Sequence, residues 1–399
     1  MFFLFIFLLA IFENWLVTYI HSFTFLDEII AIGFFCFGLI NLIMYEKRGK
    51  KLFNKIEVTI ISLIIIFSLI GVLSSIVSKV DNTLILQSYT LFGDLKFFMI
   101  YFGARIVTLN LSKDKFKKIL LKSSYMFSFI CIILFILDSF LHFMDNFGVR
   151  FGIDTLAYGF GHPAKFVTAI IIFTALNLYF YYIETQKINY KYLLLNLILI
   201  ITAGRVTTIA FYLGLVLIIV IYTAVKKTSY FSFFMAIVLF LIVGRDRIIN
   251  QFFGGDTEAR GVLLKTAIQI AKDNSPLGSG LGTFGSEASR INYSQLYYQY
   301  NISGVWGLSE IDPLFITDSY WAMILGEYGF VGAIIMFLIM MLMLYNCFKN
   351  KDKVLGLIIS IPMLYLTITS PIDSIVTSNS IASIMLCTIF LLNISKNDT

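Results

Sequence analysis

The chain has 399 residues, of which 59% are hydrophobic and only 14% are charged, and its mean hydropathy is +0.87. An average soluble protein has about 25% charged residues, so this composition excludes a soluble globular enzyme. The formal net charge is +6, and its distribution along the chain is more informative than its size. Apolar stretches recur from one end to the other, which predicts a single membrane domain over residues 1–399.

Twelve apolar windows approach the roughly 20 residues that a helix needs to cross about 30 Å of hydrocarbon. In chain order they cover residues 2–20, 26–45, 56–77, 90–109, 119–140, 164–183, 191–204, 205–225, 230–244, 320–346, 354–371 and 377–394. The first window lacks the basic segment and cleavage site of a signal peptide, so we interpret it as a span. The sequence therefore predicts an all-α polytopic membrane protein with about twelve transmembrane helices.

Lysine marks one face of this arrangement. The segments 46–55, 110–122, 184–191, 226–230 and 346–353 and the C-terminal tail carry 18 of the 30 basic residues, and all but Arg48 are lysine. By the positive-inside rule this face is cytoplasmic, which predicts that both termini are cytoplasmic and that residues 245–319 form one long periplasmic or extracellular loop. The alternation also requires residues 191–225 to be a hairpin with Gly204 and Arg205 at its outer tip.

The remaining basic residues are seven arginines and five lysines. Arginine offers a planar, permanently charged fork that binds phosphate or carboxylate through two hydrogen bonds. The outer face is therefore predicted to hold anions. The predicted substrate-binding residues there are Arg150, His162, Arg245, Arg247, Arg290 and Tyr320, and Arg205 and Arg260 are predicted to act in catalysis.

Three of these residues have a structural alternative. Arg150 and His162 lie in an outer loop whose aromatic residues could sit at the lipid headgroups, with Arg150 paired with Asp145 or Asp154. Arg205 lies where two apolar windows meet, and a charge at membrane depth costs about 2.5–3.5 kcal/mol unless it faces a wet cavity or a partner. Two interpretations of Arg205 therefore stay open: it has a functional role, or its side chain simply extends to the outer headgroups.

The long loop begins with polar residues, and Asp256 is predicted to cap a helix over residues 257–272. Glycines follow at 278, 280, 282 and 285. The string at 280–285 reads G-x-G-x-x-G, but it follows a helix and a proline turn instead of a strand, so we reject a dinucleotide site. These glycines instead predict a tight path of backbone that is buried in protein. No nucleic-acid partner is expected.

Asp318 lies at the outer mouth of the tenth predicted span. It is predicted to be either a catalytic base or the N-cap of that span, with His162 and Glu310 as reserve bases. Glu327 lies nine residues later, about 900° around a helix, so the two carboxylates are not predicted to act as a pair. The four cysteines lack a C-x-x-C pair or a neighbouring histidine, so we expect no zinc site, no disulfide framework, no metal and no cofactor.

Several of these segments together resemble the O-antigen polymerase and ligase superfamily. They are TAGRVTT around Arg205, Arg260-Gly261, SPLGSGLGTF at 275–284, DSY at 318–320 and GEYGFVG at 326–332, in the family's order. The resemblance covers residues 200–335. It implies a large GT-C-type glycosyltransferase, independent of metal, acting on sugars carried by undecaprenyl diphosphate in the bacterial cytoplasmic (inner) membrane. Ligases of this superfamily typically have a histidine where this chain has Asp318, so the resemblance favours a polymerase of O-antigen or capsular repeat units.

The expected function follows from this resemblance and from the chemistry of the donor. Diphosphate is a good leaving group, so fixed cations that stabilise its developing charge matter more than an acid that protonates it. The expected partners are undecaprenyl-diphosphate-linked oligosaccharides, the lipid bilayer and a chain-length regulator. Two alternatives stay open: an O-antigen ligase or other oligosaccharyltransferase, and a lipid-linked oligosaccharide flippase that would use Asp94, Lys96 and Arg105 inside the membrane.

Overall fold

The structure is a computed structural model that describes residues 2–46, 52–78, 80, 82–109, 111, 113–150, 152–225, 245, 249 and 258–396. The fold is mostly helical. In chain order its elements are α1 (Phe2–Tyr19), a 3-10 helix (His21–Phe25), α2 (Leu26–Glu46), α3 (Lys55–Val77), α4 (Leu84–Val107), α5 (Lys113–Leu141), β1 (Asn146–Arg150), β2 (Ile153–Leu156), α6 (Pro163–Thr185), α7 (Tyr190–Thr202), α8 (Val206–Val225), α9 (Ala259–Asp273), α10 (Glu287–Ile291), α11 (Leu296–Gln299), α12 (Tyr320–Phe348), α13 (Lys353–Thr369) and α14 (Ser380–Lys396).

Eleven of the twelve predicted spans correspond to helices, and the ninth, 230–244, lies outside the described residues. Within the described part of the chain, seven helices are long and apolar enough to cross a membrane. Helices α7, α13 and α14 are also apolar but have only 13 to 17 residues. The fold is thus the one expected of an all-α membrane protein.

The distribution of apolar side chains also suits lipid contact. Helices α6 and α14 are buried on nearly all sides and form the centre of the main apolar core. Helices α2, α3 and α5 instead expose rows of large aliphatic and aromatic side chains. Soluble monomers rarely expose apolar patches of this extent, whereas hydrocarbon accommodates them without cost.

Contacts near the helix ends show which ends of the helices lie together. Segment 46–55 meets segment 346–353 through Asn54 and Asn346, and Lys117 pairs with Glu184 at 3.1 Å. Phe3, near the start of α1, stacks on Phe390, near the end of α14. The described lysine-rich segments, the start of α1 and the end of α14 therefore lie at one end of the bundle. The α7–α8 tip and the start of α12 lie at the other end. Which end faces the cytoplasm stays a prediction.

Residues 258–319 build a small structure of their own at the second end. Helix α9 matches the predicted helix at 257–272 closely, although Asp256, its predicted cap, lies outside the described residues. The segment has a separate apolar core with members from α9, the glycine-containing segment, α11, the connection from α11 to α12 and the start of α12, namely Val262, Leu263, Ile270, Phe284, Tyr297, Leu308, Ile316 and Ala322.

The glycine segment, residues 278–285, is buried, as predicted. It packs against a break in α12 at Gly329, whose φ of 68° and ψ of −168° lie outside the helical region. The carbonyls freed at the break accept hydrogen bonds from the N–H groups of Ser279 and Gly280, at 2.7 and 3.1 Å. A Cβ at Gly278 would lie 2.4 Å from this backbone, so close approach explains the glycine. The break itself was not predicted, since residues 320–346 read as one continuous span.

The charged residues of α4 have three separate sets of partners. Lys96 pairs with Asp27 and Glu28, Arg105 with Glu57 and Asn393, and Asp94 accepts a hydrogen bond from the Tyr328 hydroxyl. All three α4 side chains are buried. Because each set ties α4 to a different helix, these charges hold the bundle together at three places.

Candidate functional site

Arg205 lies at the tip of an antiparallel helix pair, as predicted. The pairing is fixed at its base by the Tyr190 and Thr223 hydroxyls, 2.7 Å apart. At the tip, Gly204 has a φ of 63°, a left-handed conformation that glycine adopts without steric cost. Arg205 follows it and donates from Nη2 to Oδ2 of Asp373, 2.7 Å away, in the α13–α14 connection. The guanidinium therefore has a carboxylate partner and is not simply extended toward headgroups.

Arg150 ends the strand β1, in a short antiparallel hairpin that was not predicted. Its Nη1 donates to the Gly204 carbonyl over 2.8 Å. The alternative of pairing with Asp145 or Asp154 is not what the described contacts show, since Asp154 accepts instead from the Asn146 amide at 2.6 Å. Arg150 is thus held against the α7–α8 tip by an uncharged acceptor and retains its full positive charge.

Arg260 lies in the first turn of α9 and contacts Asp318. Its Nη2 and Nε both donate to Oδ2 of Asp318, over 2.7 and 3.2 Å. The predicted alternative for Asp318, capping the tenth span, is wrong: Ser319 occupies the N-cap position of α12, and it makes no side-chain cap. The reason is positional, because Asp318 precedes the cap by one residue and its carboxylate is directed to the guanidinium.

His162 is the N-cap of α6, and its Nδ1 accepts the N–H of Ala164 at 3.2 Å. Partial desolvation and, after it, the positive charge of Arg205 lower the pKa of His162 from 6.5 to about 4. The ring is therefore uncharged at neutral pH and a weak base. These features favour a capping role and weaken its candidacy as the reserve base.

Four of the predicted residues line one cleft of about 180 Å³, which we call the arginine cleft. Its defining residues are Phe147, Arg150, Thr155, His162, Arg205, Thr207 and Arg260. Asp318 and Asp373 each oppose one of its three arginines. Arg150 has no such carboxylate among its described contacts, so the cleft keeps a positive balance beside an uncharged histidine.

The other predicted residues lie elsewhere. Tyr320 is buried at the start of α12 and lines a second cleft. Arg290 is exposed and pairs with Glu287 within α10. Glu310 is also exposed and accepts from the Tyr298 hydroxyl, outside the residues that line the arginine cleft. Arg245 is exposed, and Arg247 lies outside the described residues. Asp318 and Glu327 are not a pair, as predicted, since Glu327 accepts from the Phe284 N–H.

Sequence reasoning missed Asp373. A signal was present, because Asp373 is the only charged residue between Lys353 and Lys396. A lone carboxylate between two apolar windows is expensive unless it has a partner or function. Its partner, Arg205, lies 168 residues away in the sequence.

The arrangement can bind an anion with several negatively charged oxygens. Arg205 and Arg260 each keep further N–H groups beyond those given to their carboxylates, since a guanidinium has five. Asp318 stands beside the cleft with a carboxylate that could accept a proton. Comparison with protein-family models, with curated proteins and with solved structures gave no match.

Proposed function

We propose that the chain is a membrane glycosyltransferase that joins undecaprenyl-diphosphate-linked oligosaccharide repeat units, and that it works as a repeat-unit polymerase of GT-C type with about twelve spans in the bacterial cytoplasmic membrane. The observation that carries the proposal is the convergence of Arg150, Arg205 and Arg260 on one cleft. These arginines come from three distant parts of the chain. Arginines placed at random on the outer face would not be expected to meet, whereas a diphosphate-binding site requires several cations close together.

In the proposed reaction, a hydroxyl of the acceptor sugar attacks C1 of the donor sugar. The bond between C1 and the diphosphate oxygen breaks, and the electron pair leaves with the undecaprenyl diphosphate. The acceptor proton passes to Asp318, which is why a carboxylate near the cleft matters. The arginines stabilise the charge that develops on the leaving diphosphate. Arg150 makes the first contact because no carboxylate among the described residues opposes its charge.

Purified protein in detergent provides the test. We expect a lipid-linked repeat unit alone to give a lipid-linked dimer of repeats and free undecaprenyl diphosphate. Detergent micelles offer no membrane to cross, so product formation distinguishes a transferase from a flippase. A product that forms only when a different acceptor is supplied would indicate a ligase. Absence of transfer with authentic substrate would refute the proposal.

Variants connect this activity to the cleft. Arg205→Ala and Arg260→Ala should abolish product while the protein stays in the membrane at normal level, and Lys at either position should restore it only partly, because a point charge lacks the two-pronged geometry. Lys272→Ala removes an exposed cation from the same helix as Arg260 and is the matched control. If both Lys variants polymerised at the parental rate, generic charge would suffice and specific binding by these arginines would be wrong.

A further inference from the structure

A second, larger cleft lies beside the arginine cleft, with a volume of about 350 Å³. It is formed by the 3-10 helix, α4, the end of the glycine segment, the start of α12 and the α13–α14 connection. We call it the hydroxyl cleft and define it by Glu28, Tyr89, Thr90, Tyr320, Thr377 and Ser378. Its size lies near the lower end of the range of about 300–1,000 Å³ that is usual for small-molecule sites.

The charges of the two clefts are opposite. Among the described residues that line the hydroxyl cleft, Glu28, Asp94 and Glu287 are carboxylates, Lys96 is the single cation, and none is an arginine. Lys96 is already paired with Asp27 and Glu28, and Glu287 is paired with Arg290. An anionic ligand would therefore face the carboxylates of Glu28 and Asp94 and would meet no unpaired cation among the described lining residues. An uncharged ligand would meet no such repulsion.

The remaining lining suits a ligand rich in hydroxyl groups. Seven serine and threonine residues, an asparagine and two tyrosines contribute groups that can both donate and accept hydrogen bonds. Aromatic residues, including Phe25 and Phe92, offer faces that can cover apolar C–H surfaces. The combination of many small hydroxyls with aromatic faces matches the alternation of O–H and C–H groups on a sugar ring.

The hydroxyl of one of these tyrosines lacks a hydrogen-bond partner among the described residues. Tyr320 is 1% exposed, and its hydroxyl has no hydrogen-bond partner among the described residues. An unpaired buried hydroxyl is costly, and a ligand bound in the cleft would satisfy it. One oxygen of Glu28, another lining residue, is likewise buried without a partner.

The two clefts adjoin at two points of the chain. Thr317 lines the hydroxyl cleft, and the next residue, Asp318, pairs with Arg260 of the arginine cleft. Ser374 lines the hydroxyl cleft, and the preceding residue, Asp373, pairs with Arg205. Both carboxylates thus stand at the boundary, with anion-binding groups on one side and hydroxyl groups on the other.

We propose that the hydroxyl cleft is a saccharide-binding site that accepts an uncharged sugar unit and rejects one that bears a carboxylate. The assignment of this sugar to the repeat unit of a lipid-linked substrate rests on the proposed function. Binding of a free saccharide does not. The site therefore selects for charge: the sugar unit that contacts Tyr320 and residues 374–379 is neutral, whatever other sugars the repeat unit contains.

The experiment is binding of the purified full chain to an immobilised array of neutral and uronic-acid-containing oligosaccharides. We expect neutral members to bind and their uronic-acid counterparts to bind at least about tenfold more weakly. Tyr320→Phe and Thr377→Val should each weaken binding about three- to tenfold, which corresponds to the loss of one net hydrogen bond. Thr367→Val removes a hydroxyl that bonds only to the Met363 carbonyl and is the matched control.

Stability separates this role from a structural one. Tyr320→Phe removes an unpaired hydroxyl, so its unfolding temperature without ligand should equal or exceed that of the parent while saccharide binding falls. A loss of both together would overturn the inference, as would a parent that retains no neutral oligosaccharide or that retains uronic-acid members equally well. Saccharide binding without any transfer of lipid-linked sugar would uphold this site and refute the proposed glycosyltransferase.

Discussion

Asp318 and Asp373 form two closely matched ion pairs, and this match allows catalysis by Asp318 to be separated from its electrostatic role. Each carboxylate accepts from an arginine Nη2 at 2.7 Å, and each side chain is 27% exposed. Both adjoin the same two clefts. Only Asp318 is proposed to take the acceptor proton. Asp318→Asn and Asp373→Asn therefore make the same chemical change at equivalent positions, and each serves as control for the other.

The expected magnitudes differ enough to decide. An ion pair between partly exposed side chains contributes about 0.2–1 kcal/mol to the free energy of unfolding, so either Asn variant should lose about 1 kcal/mol or less. A positioned base contributes about 10²–10⁴-fold in rate, or about 2.7–5.4 kcal/mol of activation free energy. Asp318→Asn should show the larger loss in turnover, whereas Asp373→Asn should stay within about fivefold of the parent. Both variants should bind undecaprenyl diphosphate at least as tightly as the parent, because each releases an arginine.

The assay is single-turnover transfer with purified protein and a defined lipid-linked repeat unit, accompanied by thermal unfolding of each variant in detergent. A rate for Asp318→Asn within threefold of the parent would retire Asp318 as the base. Equal losses in both variants would attribute the effect to the arginines that the carboxylates orient. Only a large loss confined to Asp318→Asn, with undecaprenyl diphosphate binding intact, agrees with the proposed proton transfer.

Three further predictions concern topology, backbone and pH. In a cysteine-free background, Cys at Ile291 should react with a membrane-impermeant thiol reagent in intact cells and Cys at Lys351 should not, and the reverse pattern would overturn the orientation. Gly329→Ala should destabilise the protein by about 1–3 kcal/mol from its backbone conformation alone, with an added clash because the new Cβ would lie 2.4 Å from backbone. Gly304→Ala, which meets open space, should be nearly neutral in the same unfolding measurement. His162 has a pKa lowered to about 4, so its contribution to stability is complete above pH 6.5 and is lost as the pH falls toward 4. His162→Asn, which can still cap α6, should lose less stability over that range and keep transfer activity, and an inactive Asn variant would restore histidine as a candidate base.

The sequence determined the helices and their alternation, because both depend on local properties. A run of apolar residues near the length of a span is helical whatever it packs against, since in hydrocarbon every backbone group must be bonded internally. The lysine-rich connections mark one end of the bundle because they alternate with connections that lack them. The α7–α8 hairpin with Arg205 at its tip followed from this alternation alone. The burial of the glycine segment was also predictable, because glycines at such density have little purpose on an open surface.

The tertiary structure decided which residues meet. The partners of Arg205, Arg260 and Arg150 lie 168, 58 and 54 residues away in the chain, and no local pattern specifies such pairs. The same limit explains the wrong cap assigned to Asp318, since a cap is judged from the next few residues while its actual partner belongs to another helix. The break at Gly329 escaped prediction because the carbonyls it frees are satisfied by a distant segment. Local sequence sets the cost of a buried charge or a broken helix, and only the assembled fold supplies the group that offsets it.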